Sequence, residues 1–275
     1  MFDVLPSLHQ RACGDLTLRF KRRGEASVLA DLRQDGCLKA RFPRCGARIE
    51  VVTLNSSGGV AGGDRLRSTI HLEGGTAATI AGQAAERFYR ALPHDPPAQV
   101  RTEATLESGS LLEWLPQEAI LFDRCALDRR LSVDMAADAV FLGVEALVFG
   151  RAAMGERVRE ARLSDTIAIR RDGHLILHDA IRLQGAVAAT MAQAAVAGGQ
   201  AASATIVYVA TDAAARLDAV RAALADAPAE CGASTWRDML VVRMLARDGA
   251  FLRAAIVAGL APLRDGRPLP RVWML

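Results

Sequence analysis

The chain has 275 residues, with 34 Lys and Arg against 31 Asp and Glu, and its net charge of +3 comes from both signs interspersed. This balance excludes binding driven mainly by charge, so we expect no nucleic-acid partner and no membrane partner. Five cysteines without a C-x-x-C spacing disfavour a disulfide framework or a structural zinc site. A single domain in the cytoplasm is the expectation.

From about residue 16 to residue 210, apolar and polar residues alternate with a period of two, as Leu16, Leu18 and Phe20 do. Two stretches, 139–149 and 205–210, are apolar on both faces and are predicted to be central strands. The pattern predicts a mainly β fold, a two-layered sandwich or β-helix-like body of many short strands with about two C-terminal helices.

Helical periodicity is clear only near the end of the chain. We expect one helix capped by Thr211 or Asp212 and stopped before Pro228, and a second capped by Asp248 and ended before Pro262. The proline-rich tail, 268–275, is expected to be extended, with exposed apolar residues. The whole chain, 1–275, is therefore interpreted as one domain with a β body over about 1–210 and a helical region and tail over about 211–275.

A glycine-rich stretch, 54–66, contains two glycine pairs followed by Asp64. Glycine permits close backbone approach and positive φ, so this stretch predicts a sharp, tightly packed crossing between strands that fixes the Asp64 carboxylate. A phosphate-binding loop is excluded because Asp64 and Arg65 follow the last glycine where lysine and Ser or Thr are needed. From the chemistry alone, a bend with an incidental acid is the favoured interpretation.

Two further clusters stand out, at 82–90 and 112–123. The first suits a strand edge that runs into an exposed turn, and in the second Pro116 must lie at an edge or a bend. A layered fold could bring several acids of this region together as paired carboxylates, although acids near strand ends are commonly solvated. These acids are Glu113, Glu118, Asp123 and Glu145.

The order of the motifs resembles the UreD family of urease accessory proteins, called UreH in some bacteria. It runs from N-x-x-G-G-x-x-G-G-D at 55–64 through Q-A-A-x-R-x-Y at 83–89 and E-W-L-P-Q-E at 113–118 to P-R-V-W at 270–273. The resemblance covers nearly the whole chain, and it departs at Ser56 and Ser57, where the family commonly has prolines. The residues that carry the motifs are Asn55, Gly58, Gly59, Gly62, Gly63, Gln83, Arg87, Tyr89 and Pro116.

The resemblance implies a non-enzyme that acts with UreF, and through UreF with the GTPase UreG, on apo-urease. It also implies help in delivering nickel to the urease active site through an internal tunnel, with no cofactor bound stably. Nickel in transit needs oxygen ligands that release it, and the candidates are Asp64, Glu118, Asp123 and Glu145. The competing interpretation is that these are buried structural acids paired to arginines. We expect the tail to contact UreF through Leu269, Arg271, Val272 and Trp273.

Two other hypotheses remain open from the residues. The first is a cytosolic all-β enzyme that uses an acid pair from Asp64, Glu118 and Asp123 on a carbohydrate or another small substrate. Its difficulty is the small number of aromatic residues available to stack on a sugar. The second is a passive assembly protein through which no metal passes.

Overall fold

Two β-sheets form the body of the chain in the computed structural model, which describes residues 10–43 and 48–274. The seven-stranded sheet has the order β14-β13-β11-β8-β5-β1-β2, and the ten-stranded sheet has the main order β16-β17-β15-β12-β9-β6-β4-β3, with β10 and β7 attached beside β12. The strands are β1 (Cys13–Arg23), β2 (Ala26–Gly36), β3 (Leu38–Arg41), β4 (Ile49–Asn55), β5 (Arg65–Leu72), β6 (Ala77–Gly82), β7 (Glu86–Phe88), β8 (Ala98–Leu106), β9 (Leu111–Leu115), β10 (Ala119–Leu121), β11 (Ala126–Met135), β12 (Val140–Phe149), β13 (Glu160–Arg171), β14 (His174–Ala186), β15 (Ala202–Val209), β16 (Glu230–Trp236) and β17 (Met239–Ala246).

The chain passes back and forth between the two sheets as it advances. Strands β5, β8, β11 and β13 pair in parallel in one sheet, and β4, β6, β9 and β12 pair in parallel in the other. The chain therefore forms a coil in which each pair of strands, one from each sheet, stacks on the preceding pair. Antiparallel strands flank the parallel strands at the ends of the two sheets. The predicted β-helix-like sandwich is confirmed.

The main core lies between the sheets, where the alternating residues Leu16, Leu18 and Phe20 are buried as predicted. Strand β12 lies between β9 and β15, and it is apolar on both faces because each face is covered. Phe141 packs in the intersheet core, while Leu142 packs in a second core under the C-terminal helices. The ten-stranded sheet is therefore the middle layer of the fold.

Two helices cover the outer face of the ten-stranded sheet, α2 (Leu217–Leu224) and α3 (Gly249–Leu260). Asp248 caps α3 as predicted, since its Oδ1 accepts from the backbone N–H groups of Ala250 and Phe251 at 2.9 and 3.0 Å. Asp212 provides no side-chain cap, because its carboxylate binds Tyr208 and Arg216 instead. A 3₁₀ turn, Ala214–Arg216, precedes α2.

Two expectations about local structure are wrong. The strand-rich region is interrupted by a short helix, α1 (Val187–Met191), whose two terminal residues are buried against the seven-stranded sheet. The tail is not fully extended, since Arg271–Trp273 forms a 3₁₀ turn. The remaining 3₁₀ turns are Ala152–Met154 and Pro262–Arg264. Within the described ranges, the helices are all too short or too polar to cross a membrane.

Candidate functional site

The glycine-rich loop takes the chain from β4 in one sheet to β5 in the other. A Cβ atom at Gly59, where φ is +142°, would lie 2.3 Å from the Tyr89 ring, and one at Gly62 would lie 2.8 Å from Ala91. The Tyr89 hydroxyl donates to the carbonyl of Gly58 at 2.6 Å. Only glycine fits this crossing, so its predicted tight packing is confirmed.

Hydrogen bonds hold the start of the loop. The amide and the hydroxyl of Ser57 both donate to Asn55 Oδ1, at 3.0 and 2.6 Å, and they form a turn where prolines are commonly expected. At its other end Gly63 has φ +85° and lies against the Arg11 side chain. The loop is thus fixed at both ends.

Three neighbouring cavities lie in and beside the body. The helix-side cavity, about 440 Å³, lies between α3 and the 83–85 and 117–120 segments. The inner cavity, about 320 Å³, lies between the two sheets under β5, β8 and β11. The edge cavity, about 240 Å³, lies between the sheets under β13, β14, β15 and β17. Gln83 and Gln117 line both the helix-side and the inner cavity, and Glu145 lines both the inner and the edge cavity.

Acids occur along this row of cavities. Glu118 lines the helix-side cavity, Glu86 and Glu145 line the inner cavity, and Asp165 and Asp179 line the edge cavity. Burial raises the pKa of Glu86, although hydrogen bonds from the Asn55 side chain and the backbone partly oppose this. A cation entering these spaces would therefore meet oxygen ligands in each of them.

A buried ion cluster occupies the junction between the inner and edge cavities. We call it the junction cluster, and it consists of Arg129 on β11, Asp165 on β13 and Glu145 on β12. Arg129 donates to Asp165 through Nε at 2.8 Å and Nη2 at 2.6 Å. Its Nη1 lies 2.7 Å from Glu145 Oε2, and Glu145 Oε1 accepts from Trp114 Nε1 at 3.0 Å.

The charges of the junction cluster are strongly perturbed by burial. At Glu145 burial raises the pKa, and the nearby Asp165 raises it further, against the opposing effect of Arg129 and Trp114. At Arg129 burial alone would lower the pKa, but the two acids outweigh it and raise the pKa above its ordinary value. The guanidinium therefore stays charged between the sheets.

Of the four acids predicted for a nickel path, Glu118 and Glu145 line the cavities. Glu118 is buried and accepts from Arg253 Nη1 at 2.9 and 3.0 Å. The bend at Pro116 ends β9 at Leu115 and directs Glu118 towards α3, as the position of the proline predicts. Each of these two acids is paired to an arginine, as the competing structural interpretation requires.

The other two predicted acids lie outside the walls of the three cavities. Asp64 is buried and accepts from the backbone N–H groups of Ala12 and Ala61 at 2.8 and 2.7 Å. Asp123 accepts from the amides of Arg159 and Glu160 at 2.7 and 3.1 Å. Burial alone would raise the pKa of Asp123, but these amides lower it below its usual value. Both carboxylates fix the course of the chain, and their role in nickel transit stays a prediction.

A second buried ion cluster, the clamp cluster, lies on the opposite face of the ten-stranded sheet. Glu113 Oε1 accepts from Arg264 Nε at 3.1 Å and Arg267 Nη2 at 2.6 Å, and Oε2 accepts from Arg264 Nη2 at 3.0 Å and Thr79 Oγ1 at 2.5 Å. Both oxygens are fully used. This cluster ties the segment after α3 to β6 and β9, and the sheet separates it from Glu145.

A family model described as UreD urease accessory protein matches residues 12–274. The chain belongs to the UreD family. Three relatives bear the name urease accessory protein UreD. The protein of Xanthobacter autotrophicus is 45% identical over 97% of this chain and 91% of its own length. That of Azorhizobium caulinodans is 43% identical over 97% of both chains, and that of Dinoroseobacter shibae is 44% identical over 99% of this chain and 96% of its own. The family assigns the chain an accessory role in urease maturation.

The UreD-family tail does not present all of the predicted contact residues. Trp273 was expected to be exposed, but only 3% of its surface is accessible and its Nε1 donates to Leu115 O at 3.0 Å. Leu269 and Val272 are half-buried against the second core. Arg271 is exposed. The 3₁₀ turn folds the indole onto the sheet, so most of this tail is part of the packing.

Several charged residues that line the cavities were not predicted as site residues from the sequence, among them Glu86, Arg129, Asp165 and Asp179. The available signal was a charged residue in the apolar register of a buried strand, as with Arg129 between Leu127 and Leu131. In the described part of the chain, no group of three or more His, Cys, Asp or Glu side chains is arranged to hold a metal ion. The cavities therefore offer isolated carboxylates and pairs of carboxylates.

Proposed function

We propose that this chain is a urease maturation factor that binds apo-urease and UreF, recruits UreG through UreF, and helps deliver nickel through its interior. The nickel ion is cargo, not a resident cofactor. The observation that supports the conduit is the row of three cavities that share lining residues and contain an acid at each stage. Membership of the UreD family supports the role in maturation.

The chemistry of the cavity walls suits transit. A dication held by one or two carboxylates dissociates readily, whereas a thiolate cage would retain it. The inner cavity offers Glu86 and Glu145 together with hydroxyl groups such as Thr102. No cysteine lines the three cavities among the residues described. The donor set therefore favours passing the ion on.

A catalytic function has less support. The acids of the enzyme hypothesis have separate partners: Asp64 and Asp123 bind different backbone amides, and Glu118 binds Arg253. A pair of carboxylates that work as acid and base needs a shared substrate position. An accessory role without catalysis is the proposal that fits these contacts better.

The surface proposed for UreF is the exposed part of the tail beside the helix-side cavity. Arg271 and Met274 are exposed there, the latter to 73%. The half-buried Val272 lines the cavity and its carbonyl accepts from Gln117 Nε2 at 2.8 Å. Cargo released at this surface would enter the cavity that contains Glu118.

The experiment combines the purified full-length chain, UreF, UreG and apo-urease, and measures co-elution and the nickel content of urease. We expect a stable complex and nickel loading that depends on this chain. An Arg271→Glu variant should weaken the retention of UreF, whereas Arg67→Glu, on the outer face of the other sheet, should not. Nickel loading that is unchanged when the chain is omitted would contradict the proposal.

A further inference from the structure

The space between the inner and edge cavities is occupied by the side chain of Arg129. Glu145 lines both cavities, Arg129 lines only the inner cavity, and Asp165 lines only the edge cavity. The guanidinium of Arg129 therefore lies at the junction, between an acid of each sheet. A cation that moves from one cavity to the other past Glu145 would pass between the same two acids.

The junction cluster has one basic group and two acidic groups. Asp165 is satisfied by two parallel hydrogen bonds from Arg129, at 2.8 and 2.6 Å. Glu145 Oε2 is different, because it lies 2.7 Å from Arg129 Nη1 and yet has no aligned hydrogen-bond donor. Glu145 as a whole is 8% exposed. A buried carboxylate oxygen that is held by an ion pair without an aligned hydrogen bond, and that lies beside a void, can exchange one cation for another.

The guanidinium of Arg129 occupies the position between Glu145 and Asp165 that a bound cation would take. Its positive charge neutralises the acids, and it repels any dication in the same passage. The inner cavity, which the side chain of Arg129 already lines, has a volume of about 320 Å³. Withdrawal of the guanidinium into this space would leave Glu145 and Asp165 facing each other across the junction.

We propose that Arg129 is a gate, and that Glu145 and Asp165 form a transient site for a borderline divalent cation such as Ni²⁺ when the guanidinium withdraws into the inner cavity. The cation and the guanidinium compete for the same two carboxylates. This inference rests on the proposed function, since it specifies how cargo crosses the middle of the interior route. Arg129 is a positioning residue, and the two acids are the cation ligands.

The test uses Arg129→Met in the full-length chain with Ni²⁺ alone as the probe. The variant leaves two buried acids without their cation, so it should be destabilised. Added Ni²⁺ should restore its melting temperature by several degrees and should bind with one site per chain in equilibrium dialysis. The wild-type chain should show at least about tenfold weaker binding at this site, because Arg129 occupies it.

Two control variants keep the test decisive even if Arg129→Met folds poorly. Arg129→Met combined with Glu145→Gln removes a ligand, and Ni²⁺ should no longer restore its stability. Arg264→Met removes a buried arginine from the clamp cluster, where Arg267 still faces Glu113, and Ni²⁺ should not rescue it. A melting temperature of Arg129→Met that does not respond to Ni²⁺, or an equal response in Arg264→Met, would overturn the gate.

Failure of the gate can be told apart from failure of the proposed function. The melting and dialysis measurements need no urease, whereas nickel loading of urease is measured with the wild-type chain. If the wild-type chain promotes loading and Arg129→Met gains no nickel site, only the gate is wrong. If the wild-type chain does not promote loading, the conduit is wrong whatever Arg129 does.

Discussion

Two buried ion clusters lie on opposite faces of one sheet and have opposite compositions. The clamp cluster has one acid, Glu113, faced by Arg264 and Arg267, and both of its carboxylate oxygens are taken. The junction cluster has one arginine between Glu145 and Asp165, and Glu145 Oε2 is ion-paired to it without an aligned hydrogen bond. Each cluster also has one buried polar atom without a hydrogen-bond partner, Arg267 Nε in the clamp cluster and Glu145 Oε2 in the junction cluster. An acid whose two oxygens are bonded amid an excess of positive charge fixes structure, whereas an excess of acid beside a void suits cation exchange.

The position of each cluster fits its composition. Glu113 joins the middle sheet to the segment after α3, and the cluster includes backbone carbonyls of residues 267 and 268, which accept from Arg264. The junction cluster joins the two sheets where two cavities meet. The same residue types therefore serve stability on one face and, in our proposal, transport on the other.

The largest expected effect is on the clamp cluster. Arg264→Met removes two hydrogen bonds from the buried acid Glu113 and should lower the free energy of unfolding by about 3 kcal/mol. Urea denaturation measures this loss. Arg67→Met, at an exposed pair with Glu103, is the matched control and should leave the unfolding midpoint unchanged. A midpoint of Arg264→Met equal to that of the control would show that the clamp does not stabilise the fold.

A smaller loss is expected from Thr79→Val. This change keeps the shape of the side chain and removes the hydroxyl that donates to Glu113 Oε2 at 2.5 Å. The oxygen keeps its bond from Arg264 Nη2, so the cost should be about 1.5 kcal/mol, the low end for a hydrogen bond to a charged group. Urea denaturation again provides the measurement. Combined with Arg264→Met, the effects should be non-additive, and strict additivity would contradict a shared cluster.

The smallest expected effect is a difference between the two clusters in how the stability of the fold depends on pH. Burial favours the neutral form of both acids. At Glu113 the arginines and Thr79 outweigh burial and hold the pKa below 4.5, whereas at Glu145 burial prevails and the pKa lies above 4.5. The stability from Glu113 is present above pH 4.5 and is lost as the pH falls through its folded pKa. For Glu145 the sign is opposite, since stability is lost as the pH rises from 4.5 through its folded pKa.

Urea denaturation across this pH range, with the variants Glu113→Gln and Glu145→Gln, checks the two signs. Glu113→Gln should flatten the loss of stability on the acid side. Glu145→Gln should remove the loss of stability that occurs as the pH rises above 4.5. Slopes that change in the same direction in both variants would contradict the difference between the clusters.

Much of the body could be predicted from local pattern. The period-two register of Leu16, Leu18 and Phe20, the apolar runs of β12 and β15, and the Asp248 cap are consequences of nearby residues. The parallel order of the strands could not be predicted, because each strand pairs with one that is a full coil away in sequence. Helix α1 was missed because it is too short to show helical periodicity.

The candidate site was predictable only in part. Glu118, in the E-W-L-P-Q-E motif, and Glu145, in the apolar stretch 139–149, were both chosen as candidate acids, and both line cavities. Asp64 was placed correctly in a fixed crossing, but the partners of its carboxylate were not predicted. They are the backbone amides of Ala12, which is distant in sequence, and of Ala61 in the same loop, and a sequence motif does not specify backbone contacts. Trp273 was wrongly expected to be exposed, since the prolines indicate an extended tail but do not show which surface the tail packs against.

The central claim is that nickel moves through the interior past the junction cluster. The most direct measurement is the nickel content of urease matured with the Glu145→Gln chain, compared at equal complex yield with the wild type and with Glu103→Gln, an acid on the outer face of the other sheet. We predict a loss of about tenfold or more in the rate of nickel loading for Glu145→Gln, as for removal of a metal-supporting group, and none for Glu103→Gln. Equal loading rates for all three chains would contradict the account.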